Sequence, residues 1–306
     1  MWSLLAAARY LRLRFLISSI RLIVRLVSPR AQAKPDTVLK IRSRDVGRTI
    51  TAHVYVPSAS KPSNNLSDAP TAPRRVLINF FGSGFALPLF GADDFFCHEI
   101  ASRAGHIVLD VAYRLGPENP FPAAIHDVED VVRYVLSQPN VYDVSRISVS
   151  GFSSGGTLAL IAPTLFPADT LRSVIAFYPS ASMAKDPSER KAPVEGPKGG
   201  RAPFFWTRLF REGYLRGMDP RDPRISPLYA DTTDYPKDTL IVTAEHDVSA
   251  LEAEQFAMKA QKHAQAAGRR VILKRMQGCG HNFDKSKKNA QMRDEAYQLA
   301  VDMLLK

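Results

Sequence analysis

Arg146-Ile147-Ser148-Val149-Ser150-Gly151-Phe152-Ser153-Ser154-Gly155-Gly156-Thr157-Leu158-Ala159-Leu160 is the stretch on which this chain turns. It opens as a short β-branched apolar run and closes as a helix rich in Ala and Leu. Between them stands G-x-S-x-G, the spacing of a nucleophile elbow. A serine that attacks a carbonyl has to stand clear of the backbone on a sharp strand-to-helix turn. Gly151 and Gly155 supply the space for that turn, and Ser153 is the candidate nucleophile. The pattern alone is weak, because a random chain of this length contains it roughly one time in ten. The strand before it and the helix after it give it weight.

Outward from the elbow, apolar runs and helical periodicity alternate. Strands are expected at Thr37–Ser43, Thr49–Val56, Arg75–Phe81, His106–Val111, Arg172–Tyr178, Thr239–Ala244 and Val271–Met276. Helices are expected at Asp93–Ala104, Pro122–Leu136, Ala250–Ala267 and Lys287–Leu305. That rhythm predicts an α/β fold, a mostly parallel sheet with helices on both faces. Residues 57–73 read as a loop rich in Pro, Ser, Asn and Asp. Residues 180–236 break the rhythm as an insertion: 184–201 is loop, and Pro203–Phe210 starts a short aromatic helix. Two readings of that helix stand, a lid or pocket wall and a surface helix with its aromatics packed on the core.

The 306 residues, 45% hydrophobic and 23% charged, suit one large α/β domain or two small ones, with ample core. Two cysteines, Cys97 and Cys279, cannot build a disulfide framework. No C-x-x-C or H-E-x-x-H pattern argues for a metal. The net charge of +11 is concentrated: residues 1–35 hold Arg9, Arg12, Arg14, Arg21, Arg25, Arg30 and Lys34 and no acid. The remaining chain carries 34 basic against 30 acidic residues, so no nucleic-acid footprint spreads over it.

Residues 2–28 read as a helix with Arg14, Ser18, Arg21 and Arg25 in one polar stripe. Its longest uncharged stretch, Phe15 to Ile20, is far too short to span a bilayer. Three readings remain open: a helix lying in a membrane interface, an arginine-rich mitochondrial presequence, and a lid folded over the protein. The chain thus divides into an N-terminal amphipathic helix or cap over 1–35 and a catalytic domain over 36–306 with its cap insertion at 180–236.

A serine hydroxyl needs a base, and the base an orienting acid. Both belong in loops beyond later strands, in the order Ser, acid, His. Asp247 follows the strand ending at Ala244, and His281 follows the next strand, in Gly278-Cys279-Gly280-His281-Asn282-Phe283. Glu245 and Asp284 are the rival acids; His246, His98, His126 and His263 read as solvated or packed histidines. A thiol role for Cys279 finds support only in its nearness to His281 in sequence. Gly82-Ser83-Gly84-Phe85, directly after a strand, reads either as an oxyanion hole or as a tight turn.

With these residues in view, the chain resembles the hormone-sensitive-lipase-like branch of the α/β-hydrolase superfamily over roughly residues 50–306. The family's H-G-G-G-F motif corresponds to Phe81-Gly82-Ser83-Gly84-Phe85, and its Y-R-L-A-P-E to Tyr113–Glu118 with Gly116 for Ala. Its F-P-A-A stands as Phe121–Ala124, its G-D-S-A-G-G as Gly151–Gly156, and its H-G-F as His281-Asn282-Phe283. The resemblance implies an N-terminal helical cap and an α/β-hydrolase fold. It implies an oxyanion hole of backbone N–H groups from Ser83, Gly84 and Ser154. Phe81 replaces the family histidine and Phe152 the elbow aspartate, which suggests an apolar pocket rim of Phe81, Phe85, Phe152, Phe205 and Trp206.

The expected function is a serine hydrolase of carboxylic esters with catalytic residues Ser153, Asp247 and His281 and no cofactor. Alternatives are a thioesterase, lactonase, deacetylase or acyltransferase serving a secondary metabolite, or a non-catalytic binding module. Expected partners are a small acyl ester, a membrane surface touched through residues 1–35, and a second copy in a homodimer, but not nucleic acid. The expected place is intracellular: cytoplasmic, peripheral on a membrane, or mitochondrial by import.

Overall fold

Along β3 (Arg74–Phe80) successive side chains enter opposite layers: Val76, Ile78 and Phe80 in one buried cluster, Leu77 in the other. A strand apolar on both faces needs a cover on each side, and helices provide it here. The computed structural model describes residues 4–27, 33–57, 72–196 and 203–306. Most of the expected 57–73 loop, and the end of the 184–201 loop, lie outside the described residues.

With elements numbered in chain order, the other strands are β1 (Thr37–Arg42), β2 (Thr49–Tyr55), β4 (Ile107–Val111), β5 (Tyr142–Phe152), β6 (Ser173–Phe177), β7 (Asp238–Ala244) and β8 (Arg270–Met276). They form one sheet in the order β1-β2-β4-β3-β5-β6-β7-β8. β2 runs antiparallel to β1 and β4, and the pairs from β4 to β8 are parallel. Helices α2 (Asp94–Ala104) and α7 (Ala290–Leu304) cover one face. Helices α3 (Ala123–Leu136), α4 (Ser154–Ile161) and α6 (Ala250–Ala266) cover the other. The expected α/β architecture holds.

Two boundaries differ from the sequence reading. Helix α5 (Phe204–Leu215) runs past Phe210, because Tyr214 and Leu215 extend its buried side. It ends where Arg216 and Gly217 take the left-handed φ values 48° and 87°. The last helix starts at Ala290, after two short 3₁₀ turns that carry Phe283 and Asp284 into the interior.

Helix α1 (Leu4–Val27) lies on α5: Leu13, Ile17 and Ile20 are buried with Ala86, Leu209 and Phe210. Each such side chain stabilises the contact by roughly 1.5–3 kcal/mol. Among the described residues no helix is long and apolar enough to cross a membrane. Arg21 pins α1 to the body. It donates to both oxygens of Glu118 at 2.9 and 3.0 Å, to the Ala86 carbonyl at 2.9 Å and to the Gly116 carbonyl at 2.7 Å.

Burial alone would raise the Glu118 pKa, but the Arg21 hydrogen bonds outweigh it and hold that carboxyl below its usual range. The stabilisation is therefore present above the unfolded value, about 4.3, and is lost as pH falls through the lower folded value. Arg21→Ala is expected to cost about 1 kcal/mol at neutral pH, the charge-assisted figure discounted for partial exposure. Urea unfolding checks it: the gap to wild type should narrow at pH below that range.

Candidate active site

The elbow is built by the absence of side chains. A Cβ on Gly155 would overlap the Phe80 carbonyl oxygen, and one on Gly151 would overlap the Gly155 carbonyl. Ser153, between them, takes φ 51° and ψ −116°, a conformation non-glycine residues rarely hold. Its N–H donates to the Phe177 carbonyl at 2.9 Å, which fixes the turn against β6.

Asp247 follows β7, and His281 lies in the loop after β8. Their side chains meet at the carboxyl ends of the parallel strands, where loops from separate strands converge. Asp247 Oδ2 lies 2.7 Å from His281 Nδ1, and its Oδ1 accepts the Ser249 N–H at 2.9 Å. His281 Nε2 lies 2.9 Å from Ser153 Oγ. The chain Asp247–His281–Ser153 is therefore continuous, with Nδ1–H donating to the carboxylate and Nε2 facing the hydroxyl. Burial works against charge on His281, yet the Asp247 carboxylate raises its pKa above the ordinary value. Burial likewise pushes Asp247 up, and the imidazole brings it below the usual range.

The rival residues are engaged elsewhere. Asp284 is buried and accepts hydrogen bonds from Tyr178 and Tyr297 and an ion pair from Lys285. Glu245 accepts the Gly278 N–H at 2.8 Å and so braces the loop of His281. Cys279 is buried, and burial raises its thiol pKa.

An open cavity of about 250 Å³ runs down to Ser153 and His281. One face of α5 walls it with Phe204, Thr207, Phe210, Arg211 and Tyr214. Steps of three and four from Phe204 mark that face, and the sequence reading missed it. Of the five aromatics expected at the rim, Phe85 lines the cavity, its ring stacked on Tyr214 at 3.8 Å. The other four are placed differently. Phe81 is buried with its ring stacked on Tyr113 at 4.5 Å. Phe152 is buried among α2, α7 and β6, stacked on Phe177 at 4.6 Å. Phe205 faces solvent, and Trp206 packs against the α1 cluster.

Of the three expected oxyanion donors, one is placed differently. Gly84 and Ser154 line the cavity, and among the described residues neither amide donates elsewhere. The Ser83 N–H, however, already donates to Ser154 Oγ at 2.9 Å. Ser83 Oγ accepts the Phe85 N–H at 2.9 Å and lies 2.7 Å from Tyr113 Oη and 3.1 Å from Ser154 Oγ. Tyr113 Oη donates to the Phe81 carbonyl at 2.7 Å. Ser154→Ala leaves the buried Ser83 N–H without its acceptor. The expected cost is roughly 1–3 kcal/mol, read as a lower urea midpoint at unchanged m-value.

Comparison with known proteins agrees with this architecture. The family model for the alpha/beta hydrolase fold matches residues 77–285. The ethyl acetate hydrolase of Pseudomonas putida is 28% identical over 281 residues, spanning 89% of this chain and 83% of that protein. An acetyl-hydrolase of Streptomyces hygroscopicus is 32% identical over 196 residues, 61% of this chain and 62% of that one. Among solved structures, EstE1, a thermophilic and thermostable carboxylesterase cloned from a metagenomic library, has a TM-score of 0.76 at 25% identity and 96% coverage of each chain. With its sheet order, its elbow and more than half of its length matched, this chain belongs to the α/β-hydrolase-fold family, in the hormone-sensitive-lipase-like branch.

Proposed function

We propose that this carboxylesterase-type α/β hydrolase cleaves carboxylic esters through an acyl-enzyme on Ser153. The observation that carries the reading is the hydrogen-bonded chain Asp247–His281–Ser153 at the floor of the cavity. His281 Nε2 takes the hydroxyl proton as Ser153 Oγ attacks the acyl carbon. Asp247 holds the tautomer and stabilises the imidazolium. The free N–H groups of Gly84 and Ser154 receive the oxyanion, each donor commonly worth about 3 kcal/mol in the transition state. His281 then protonates the leaving alkoxide, and water cleaves the acyl-enzyme by the same steps.

Because the Asp247 carboxylate raises His281, the base form should accumulate only above the ordinary imidazole pKa. kcat/KM on a neutral nitrophenyl ester should therefore fall with decreasing pH through a midpoint above about 6.5. Asp247→Asn should lower kcat by roughly 10⁴-fold, and Ser153→Ala should abolish the activity. An active Ser153→Ala protein would overturn the assignment.

The charge of the cavity wall favours a narrower substrate class. Lys185, Arg190 and Arg211 line it, while Asp247, engaged by His281, is the lone carboxylate on that wall among the described residues. Arg211 spends its Nε on the Met183 carbonyl and, among the described residues, pairs with no carboxylate. Arg190 lies 3.5 Å from Glu252, and among the described residues its buried Nη2 has no hydrogen-bond partner. Esters that carry a carboxylate on the acyl or alcohol part should gain from this wall. The nitrophenyl half-ester of glutaric acid should exceed a neutral ester of equal length by roughly tenfold in kcat/KM. Arg211→Met should shrink the ratio; equal rates with wild type would leave the esterase and remove the anion preference.

A further inference from the structure

Helix α1 has two apolar faces. Leu13, Ile17, Ile20 and Val24, spaced by four, three and four, turn toward α5. Leu4, Leu11, Phe15, Leu22 and Leu26, spaced by seven, four, seven and four, fall on the opposite side at about 100° per residue. These five are 57–91% exposed. A helix that served only as a cap would carry polar residues there.

The seams between the two faces are basic. On the helical wheel Arg9 and Arg12 flank the outer stripe on one side, Arg14 and Arg25 on the other. Arg14 reaches toward Glu118 at 3.9 Å but stays 56% exposed. Arg9, Arg12 and Arg25 make no ion pair among the described residues, and residues 4–27 contain no acid. An apolar stripe between rows of arginines, three of the four without an ion pair among the described residues, complements a surface that is apolar below and anionic above. A second copy of the chain is a poorer occupant. Pairing two α1 helices through this face would bring arginine rows together with no carboxylate from either helix to offset them.

We propose that α1 seats the protein in the plane of an anionic lipid surface, with Leu4, Leu11, Phe15, Leu22 and Leu26 at the acyl boundary and the arginines at the headgroup phosphates. The inner face of the same helix holds α5, whose adjoining face, sharing Phe210, walls the cavity, so the docked surface and the cavity wall belong to one layer. The proposal does not depend on the chemistry at Ser153.

Sedimentation of the intact protein with vesicles tests it. Phosphatidylcholine vesicles with about one third phosphatidylglycerol should bind at least roughly tenfold more strongly than phosphatidylcholine alone. Binding should weaken between about 0.1 and about 0.5 M salt. Phe15→Glu with Leu22→Glu should lower the partition by roughly tenfold or more while Tm and hydrolysis of a short soluble ester stay at wild-type values. Three results would overturn it: no vesicle binding, equal binding to neutral and anionic vesicles regardless of salt, or loss of a concentration-dependent dimer as the sole effect of the double substitution. The last would assign the face to a second copy.

Discussion

The turn from β5 into α4 lies so close to the end of β3 that only glycine fits at 155, where a Cβ would enter the Phe80 carbonyl oxygen. Everything at the site inherits that closeness. It forces Ser153 into its positive φ, at a cost of order 1–3 kcal/mol. It also lifts Oγ off the sheet toward the loops beyond β7 and β8. The strain is held by what cannot move: β5 is paired on both edges, with β3 and β6, and the Ser153 N–H is tied to Phe177. A strained serine on a paired central strand holds its hydroxyl in one place.

The second support lies beneath the elbow. Lys285 sits 4.1 Å over the Phe152 ring and pairs with Asp93 at 2.6 Å and Asp284 at 2.9 Å. Burial pushes the Asp110 carboxyl up; its Oδ1 accepts from the Asn79 amide, whose own oxygen accepts from Ser150. The buried cation is thus met by carboxylates and an aromatic face together, and removing one partner would leave an uncompensated charge. Since Asp284 lies three residues after His281 and its partner Tyr178 packs 4.9 Å from the imidazole, this buried cluster also holds the histidine loop in place.

Most of this was legible in the chain, and the failures have physical causes. The elbow, the strand–helix alternation and the order Ser153, Asp247, His281 follow from local geometry, which short sequence patterns encode. The pocket did not follow, because identity as an aromatic says nothing about which face a side chain takes. Phe152 continues the two-residue period of Ser148 and Ser150, and its ring enters the α2–α7 layer. Phe205 and Trp206 belong to an aromatic cluster, yet the helical step from Phe204 through Thr207, Phe210, Arg211 and Tyr214 selects the cavity face. The hydrogen bond from Ser83 to Ser154 joins residues 71 apart, a distance at which no sequence period speaks.

That bond explains how the loop after β3 keeps its shape without the histidine of the related motif. Ser83 stands where that motif has glycine and Ser154 where it has alanine, so two added hydroxyls face each other across the loop, 3.1 Å apart. Tyr113 joins them, and its ring carries the Phe81 that replaces the histidine. The polar tie has moved from one side chain to a buried trio, and hydrogen bonds in such a setting reinforce one another. The trio takes up the Ser83 N–H, so the loop's rigidity comes from a group that the related motif would leave to the substrate. What remains open to the cavity is Gly84, held at φ 58° with the Phe210 ring 3.0 Å from where a Cβ would stand, and the first amide of α4. The loop and α5 are therefore fitted to each other, and a change in either one alters the wall and the amides open to the cavity together.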